Sequence, residues 1–188
     1  MTKYFFILAM FLGMTLQAQN LRFNPKVGAG FYDFNVSKGT DVDPKIMVTL
    51  GCDVRIGSGN LFFNTGLHYS ADAFNKDANT FSEKGSINFL RVPVGVGYYI
   101  TGRDGILSLH LKGGLVNNFN ISNSGLGKDF DSLVKKYNLA GNLGLGAEVL
   151  KFIHIGVEYD LGLTNYFDTD DILVAKKGAF LISLGVTF

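Results

Sequence analysis

The sequence predicts an all-β protein, an eight-stranded antiparallel up-and-down transmembrane β-barrel. After residue 20, apolar and polar residues alternate with a period of two, which is typical of strands rather than helices. The segments that alternate are joined by short and long connections in turn. No apolar run beyond the first twenty residues is long enough to cross a bilayer as a helix. The 47% of hydrophobic residues argues against disorder.

Eight segments carry this pattern. The predicted strands are residues 22–35, 45–56, 60–70, 86–100, 105–118, 137–149, 151–164 and 178–188. Tight turns are expected at 57–59, 101–104 and 150–151, and longer polar loops at 36–44, 71–85, 119–136 and 165–177. Within these loops only residues 129–136 have a helical pattern, enough for one or two turns. Membrane barrels have this asymmetry, with short periplasmic turns and longer outer loops.

The two faces of each strand differ in chemistry. In the seventh strand Ile155, Val157 and Leu161 share one side, whereas His154 and Asp160 lie on the other. A soluble barrel of the lipocalin type would turn the apolar side inward. The polar side is built largely of glycine and other small residues, which suit a narrow interior better than a hydrated surface. This observation favours an apolar face directed at lipid, and a sheet in contact with lipid has to close.

The N-terminus predicts export. Residues 1–3 are short and positive, residues 4–16 are mainly apolar, and Leu16-Gln17-Ala18 offers a cleavage site. These three parts in this order are typical of a secretory signal peptide, with a buried N-terminal helix as the alternative. We therefore expect a cleaved signal peptide over 1–18 and a barrel domain over 19–188, with both ends in the periplasm. No cysteine follows the cleavage site, which argues against a lipoprotein.

The inward face predicts a polar network rather than a pore. Its members are Arg22, Lys26, Asp53, Arg55, Asn64, His68, Arg91, His110, Lys112, Glu148, His154, Glu158 and Asp160. The basic and acidic members nearly balance, and an eight-stranded barrel has room only for its own side chains. Because buried charges are tolerable only when they are paired, we expect them to pair across the lumen. The expected absences are a cofactor, a bound metal and, given a formal net charge of +1, a nucleic-acid partner.

A catalytic interpretation competes with this one. His68 and Ser70 are two residues apart near the outer end of the third strand, and Glu148, His154 and Glu158 cluster toward the periplasmic end. A serine nucleophile needs a base within hydrogen-bond reach and a group that orients the base. One histidine near one serine is a common coincidence, so we favour a structural histidine and no enzymatic activity.

Three motifs resemble a known family. They are Phe89-Leu90-Arg91-Val92-Pro93-Val94-Gly95-Val96, Leu143-Gly144-Leu145-Gly146-Ala147-Glu148 and Glu158-Tyr159-Asp160-Leu161-Gly162-Leu163-Thr164-Asn165. They are similar to the outer-membrane β-barrels of Bacteroidota known as PorT-like or porin-family barrels. The resemblance implies residence in the outer membrane, contact with its lipid, and insertion by the barrel-assembly machinery. Within Leu184–Phe188, the residues Leu184, Val186 and Phe188 resemble the terminal signal that this machinery reads.

The resemblance implies no single biochemical role. We expect a structural or surface-interaction barrel with a plugged interior and an extracellular or secretion-system protein as a further partner. One alternative is a PorT-like component of a secretion or gliding apparatus. A second alternative is an outer-membrane enzyme that modifies lipid.

Overall fold

The chain forms a closed antiparallel barrel in a computed structural model that describes residues 21–36, 45–75, 84–124, 134–167 and 175–188. The strands are β1 (Leu21–Val36), β2 (Lys45–Ile56), β3 (Leu61–Asn75), β4 (Lys84–Tyr99), β5 (Leu107–Ser124), β6 (Tyr137–Val149), β7 (Ile153–Gly162) and β8 (Ala175–Val186). Each strand pairs with the next along the chain, and β8 pairs with β1. The predicted fold class is confirmed. No helix among the described residues is long and apolar enough to cross a membrane.

The two ends of the barrel differ in their connections. We call the end with the short connections 57–60, 100–106 and 150–152 the turn end. The other end, where β1, β3, β5 and β7 finish and β2, β4, β6 and β8 begin, is the loop end. The predicted alternation of short and long connections is therefore present. The expected signal peptide, residues 1–18, lies outside the described residues.

Several strands are longer at the loop end than the sequence predicts. β3 continues to Asn75 and β5 to Ser124, into segments expected to be loops, whereas β7 is shorter than expected. The extensions mix polar residues with apolar ones, such as Phe74 in β3 and Phe119 in β5, and their backbones still pair across the sheet. The helical expectation for 129–136 fails over its last three residues, because Val134 forms a β-bridge with Phe167. Residues 129–133 lie outside the described part of the chain.

The outer surface is apolar. Leu50 is 60% exposed and Leu143 is 66% exposed, while the residues beside them in sequence on the inward face are buried or half-buried. Aromatic residues, among them Phe31, Tyr69 and Tyr98, are exposed near the strand ends. An apolar band of this kind is the surface that a membrane barrel presents to lipid. The alternative of a soluble barrel with its apolar face inward is wrong.

The ladder between β3 and β4 is interrupted near its middle. It runs from Leu61 opposite Tyr98 to Thr65 opposite Val94, and it resumes where His68 lies opposite Arg91. Pro93 falls in the interruption, and proline has no backbone N–H to donate. The register also shifts between Asn88 and Phe89 on the other side of β4, where it pairs with β5.

The last residue is part of the barrel wall. The N–H of Phe23 donates to the C=O of Phe188 at 3.1 Å, and the N–H of Phe188 donates to the C=O of Phe23 at 2.9 Å. Phe188 therefore ties the C-terminus to β1 directly beyond β8.

Candidate functional site

The lumen holds a continuous set of polar and aromatic side chains, which we describe from the turn end to the loop end. At the turn end, Glu148 on β6 is fully buried and receives three donors. Arg55 Nη1 and the Tyr99 hydroxyl both donate to its Oε1, the latter at 3.0 Å, and Arg22 Nη1 donates to Oε2 at 3.0 Å. Arg22 also pairs with Asp104 in the exposed 100–106 turn at 2.7 Å. We call these five residues the turn-end layer; they link four strands and a turn through two acidic groups.

Two histidines lie against this layer. The rings of His110 and His154 are stacked with centroids 5.5 Å apart and an angle of 21° between them. His154 Nδ1 is 3.3 Å from Arg55 Nη2, whereas neither ring nitrogen of His110 has a hydrogen-bond partner among the described residues. His110 instead packs against Phe62 and Tyr99. The expectation that every inward polar group pairs across the lumen does not hold for His110.

The central layer contains four charged residues and one histidine. Lys26 Nζ lies 2.9 Å from Asp53 Oδ2 and 2.6 Å from Glu158 Oε1. Lys112 Nζ lies 3.4 Å and 3.0 Å from the same two atoms. His68 Nε2 is 2.7 Å from Asp53 Oδ1. Two ammonium groups therefore share two carboxylates, so that every carboxylate has more than one partner.

A further ion pair lies beside the central layer. Arg91 Nη2 donates to Asp160 Oδ2, and Asn142 Nδ2 donates to Asp160 Oδ1 at 2.7 Å. Asn142 also reaches Glu158 Oε2 at 3.3 Å, which connects this pair to the central layer. The structure thus brings eleven of the twelve charged or histidine residues proposed for the interior network into ion pairs or hydrogen bonds, with His110 held by ring contacts.

The loop-end layer was not predicted from the sequence. Asp72 on β3 is fully buried; it pairs with Lys177 on β8 and accepts hydrogen bonds from the Tyr166 hydroxyl and Ser70 Oγ, each at 3.1 Å. Lys177 Nζ lies 4.5 Å from the centre of the Tyr32 ring, within cation–π range. Burial and the charge of Asp72 raise the pKa of the Tyr166 phenol well above its usual range, so the hydroxyl stays protonated and donates.

Aromatic packing surrounds this ion pair. The Tyr166 ring is 5.0 Å from Phe34 and 5.4 Å from Phe89, and all three side chains are buried. Tyr166 lies beyond the end of β7, in the described residues 163–167, and its ring is buried in the barrel mouth. That segment is held by the bridge between Val134 and Phe167. Asp72 is on the same inward face of β3 as His68, and Lys177 is on the same inward face of β8 as Ala179. The alternation would have identified both residues if the strands had been predicted at full length.

Only small spaces remain between these layers in the described residues. One cavity of about 30 Å³ is lined by Lys26, Asp53, His68, Arg91 and Glu158 among others. Two further cavities are about 20 Å³ and 10 Å³. Cavities of this size hold a few water molecules at most. Such spaces cannot hold an organic substrate.

The residues considered for catalysis do not form a nucleophile–base pair. Ser70 Oγ donates to Asp72, and His68 Nε2 faces Asp53, so the described residues provide no Ser70–His68 hydrogen bond. Glu148 and Glu158 belong to separate layers. The part of the chain that the structure describes also contains no group of three or more metal-ligating side chains.

Comparisons with known proteins agree with the barrel. The family model for the outer membrane protein beta-barrel domain matches residues 5–188. No curated protein sequence matches the chain. Among solved structures, Ail, the attachment invasion locus protein of Yersinia pestis, has a TM-score of 0.55 at 13% identity, covering 90% of this chain and 99% of that chain. Neisserial surface protein A has a TM-score of 0.54 at 12% identity, covering 88% and 97%.

At these identities the solved structures show a common fold and nothing further about activity. The family match spans nearly the whole sequence, and the neighbours are outer-membrane barrels. The chain therefore belongs to the family of outer membrane protein beta-barrel domains and resides in a bacterial outer membrane.

Proposed function

We propose that this protein is a plugged, non-conducting and non-catalytic barrel that acts as a scaffold for surface interaction. The observation that carries the proposal is the filling of the lumen by buried side chains from the turn end to the loop end. Five cations, Lys26, Arg55, Arg91, Lys112 and Lys177, are each paired with a buried or nearly buried carboxylate. A water-filled path could open through a layer only where the side chains of that layer separate or are removed.

In this proposal the turn end faces the periplasm and the loop end faces outward. Support comes from the general asymmetry of membrane barrels, whose periplasmic turns are short and whose outer loops are long. A rigid wall that carries variable loops is the usual arrangement for recognition. The loop-end layer closes the barrel beneath those loops, so a partner would contact the loops and the rim rather than the lumen.

Planar-bilayer recording tests the plugged state. The purified barrel would be reconstituted after its heat-modifiable migration has shown that it is folded, beside a general porin as a positive control. We expect no steady conductance steps from the barrel. Steady open channels from the folded protein would contradict the proposal.

A lumen variant provides a matched control in the same scaffold. It combines Arg55→Ser and Glu148→Ser at the turn end, Lys26→Ser and Glu158→Ser at the centre, and Tyr166→Ser at the loop end. Each charged substitution is matched by one of opposite sign, so the net charge of the lumen is unchanged. We expect conductance from this variant once its folding has been verified by the same migration assay.

A narrower placement among the PorT-like barrels of Bacteroidota is a proposal that rests on the three sequence motifs alone. No contact among the described residues favours a secretion role or a lipid-modifying activity over the scaffold. Insertion through the barrel-assembly machinery by way of Leu184, Val186 and Phe188 is proposed on the same basis. Co-purification of secretion proteins from native membranes would favour the PorT-like role.

A further inference from the structure

The turn between β6 and β7 has an unusual backbone for its residues. The N–H of Phe152 donates to the C=O of Val149 at 3.3 Å, which makes Leu150 and Lys151 the two central residues of a tight turn. Their φ angles are 55° and 70°. Turns with two left-handed central residues favour Asn-Gly or Asp-Gly, because a branched or long side chain crowds the backbone there.

The other two short connections follow the usual preference. In 57–60 the left-handed position is Gly59, with φ of 68°, and in 100–106 it is Gly102, with φ of 89°. Only the β6–β7 turn places larger residues in this region among the described part of the chain. Strained non-glycine backbone at one of the three short connections points to a role for its side chains.

The strained turn is held on both sides. The N–H of Leu150 donates to the C=O of Ile106 at 2.7 Å, and the N–H of Thr187 donates to the C=O of Phe152 at 2.7 Å. The first bond links the turn to the connection before β5, and the second links it to the end of the chain. The side chains of the turn are therefore displayed from a fixed backbone.

These side chains form an exposed apolar patch. Ile106 is 73% exposed, Leu150 56% and Phe152 48%, and Lys151 beside them is also exposed. The patch is continuous with the lipid-facing rows of β5, β6 and β7, so its apolar part extends an interface with lipid. A lysine at the edge of such a surface can place its methylenes against lipid chains and its ammonium group among the headgroups.

We propose that Ile106, Leu150, Lys151 and Phe152 form a docking site for an anionic phospholipid in the leaflet at the turn end. The three apolar side chains contact the acyl chains, and the Lys151 ammonium group pairs with the headgroup phosphate. Asn-Gly would relax the turn but would offer neither contact. The proposal therefore accounts for the presence of Leu150 and Lys151 at left-handed positions.

Spin-labelled lipids test this site directly. The folded barrel would be placed in phosphatidylcholine vesicles with trace spin-labelled phosphatidylglycerol or phosphatidylcholine, and the relative association of each with the protein would be measured by electron spin resonance. We expect a preference for phosphatidylglycerol that Lys151→Gln lowers by about fivefold at low salt. Lys176→Gln, at an exposed lysine of the loop end, is the matched control and should leave the preference unchanged.

A second variant separates lipid binding from turn geometry. Leu150→Asn combined with Lys151→Gly relieves the backbone strain, so it should raise stability in detergent while lowering the phosphatidylglycerol preference as Lys151→Gln does. Equal association of the two lipids with the unaltered barrel would overturn the proposal, as would a preference that survives Lys151→Gln. A phosphatidylglycerol preference that survives Lys151→Gln would depend on residues outside this site. Loss of the preference in Lys176→Gln would assign it to the loop end.

Discussion

The turn-end and loop-end layers fill the same cylinder in different ways. At the turn end, Glu148 collects two guanidinium groups and a phenol, so charge pairing fills the lumen. At the loop end the ion pair of Asp72 with Lys177 is surrounded by aromatic rings. The comparison teaches that a narrow barrel can be closed either by shared charges or by packed rings. The two layers should therefore respond differently to substitution.

The largest effect is expected at the turn end. Glu148→Leu removes the carboxylate shared by Arg55, Arg22 and Tyr99 and leaves Arg55, which is 2% exposed, without its ion-pair partner. We expect a loss of about 3–5 kcal/mol in the free energy of unfolding, because an uncompensated buried charge is costly. Urea unfolding followed by circular dichroism and by band shift in gels would measure it.

The double variant Arg55→Met with Glu148→Leu is the control for this effect. It removes both charges while keeping apolar volume, so most of the lost stability should return. If the single substitution were as mild as the double one, the turn-end layer would not depend on charge.

Arg91→Leu is expected to have the next largest effect. It leaves Asp160 with Asn142 as its remaining side-chain donor. The expected loss in the free energy of unfolding is about 2–4 kcal/mol, a little below the loss for a buried charge left without any partner. The same unfolding measurement applies, and a variant as stable as the parent would show that Asp160 does not need Arg91.

At the loop end, Phe89→Leu should lower the free energy of unfolding by about 1–2 kcal/mol. It removes ring contacts with Tyr166 and leaves no buried charge without a partner. The matched comparison is Phe62→Leu at the turn end, whose ring lies against Tyr99 and His110. A larger loss for Phe62 than for Phe89 would mean that ring packing matters more beside the charges than within the aromatic layer.

Tyr166→Phe should have the smallest effect, about 1 kcal/mol. It deletes one hydrogen bond to Asp72, whose pairing with Lys177 and Ser70 is retained. Circular dichroism during urea unfolding would again report the change. A loss above about 3 kcal/mol would indicate that the loop-end layer depends on polar contacts as heavily as the turn-end layer.

The alternation of residues predicted the strands and their two faces, and the small residues on the polar face predicted which face points inward. His154 and Ile155 could be assigned to opposite faces from the period of two alone. The pairing of Arg55 with Glu148 could not be predicted from the sequence, because the two residues are 93 positions apart. They meet only through the register of the intervening strands and the stagger of the closed sheet.

Other parts of the site were missed for a different reason. Asp72 and Lys177 lie in strand extensions whose outward neighbours are not consistently apolar, so the pattern was lost there. Tyr166 lies outside any strand and enters the mouth through a turn that no local pattern specifies. The stacking of His110 on His154 depends on Gly146 between them, where a β-carbon would collide with His110 and lie 3.0 Å from His154 Cε1.

The backbone pair between Phe23 and Phe188 determines when the barrel wall can close relative to synthesis of its strands. β1 pairs with β8, and Phe23 pairs with Phe188, so the seam cannot close until both partners have been synthesised. A sheet that lacks β8 has two open edges, and in hydrocarbon each unpaired amide along them is costly. The topology thus requires all eight strands to be available before the wall can close in the bilayer, and Phe188 extends the pairing at the seam.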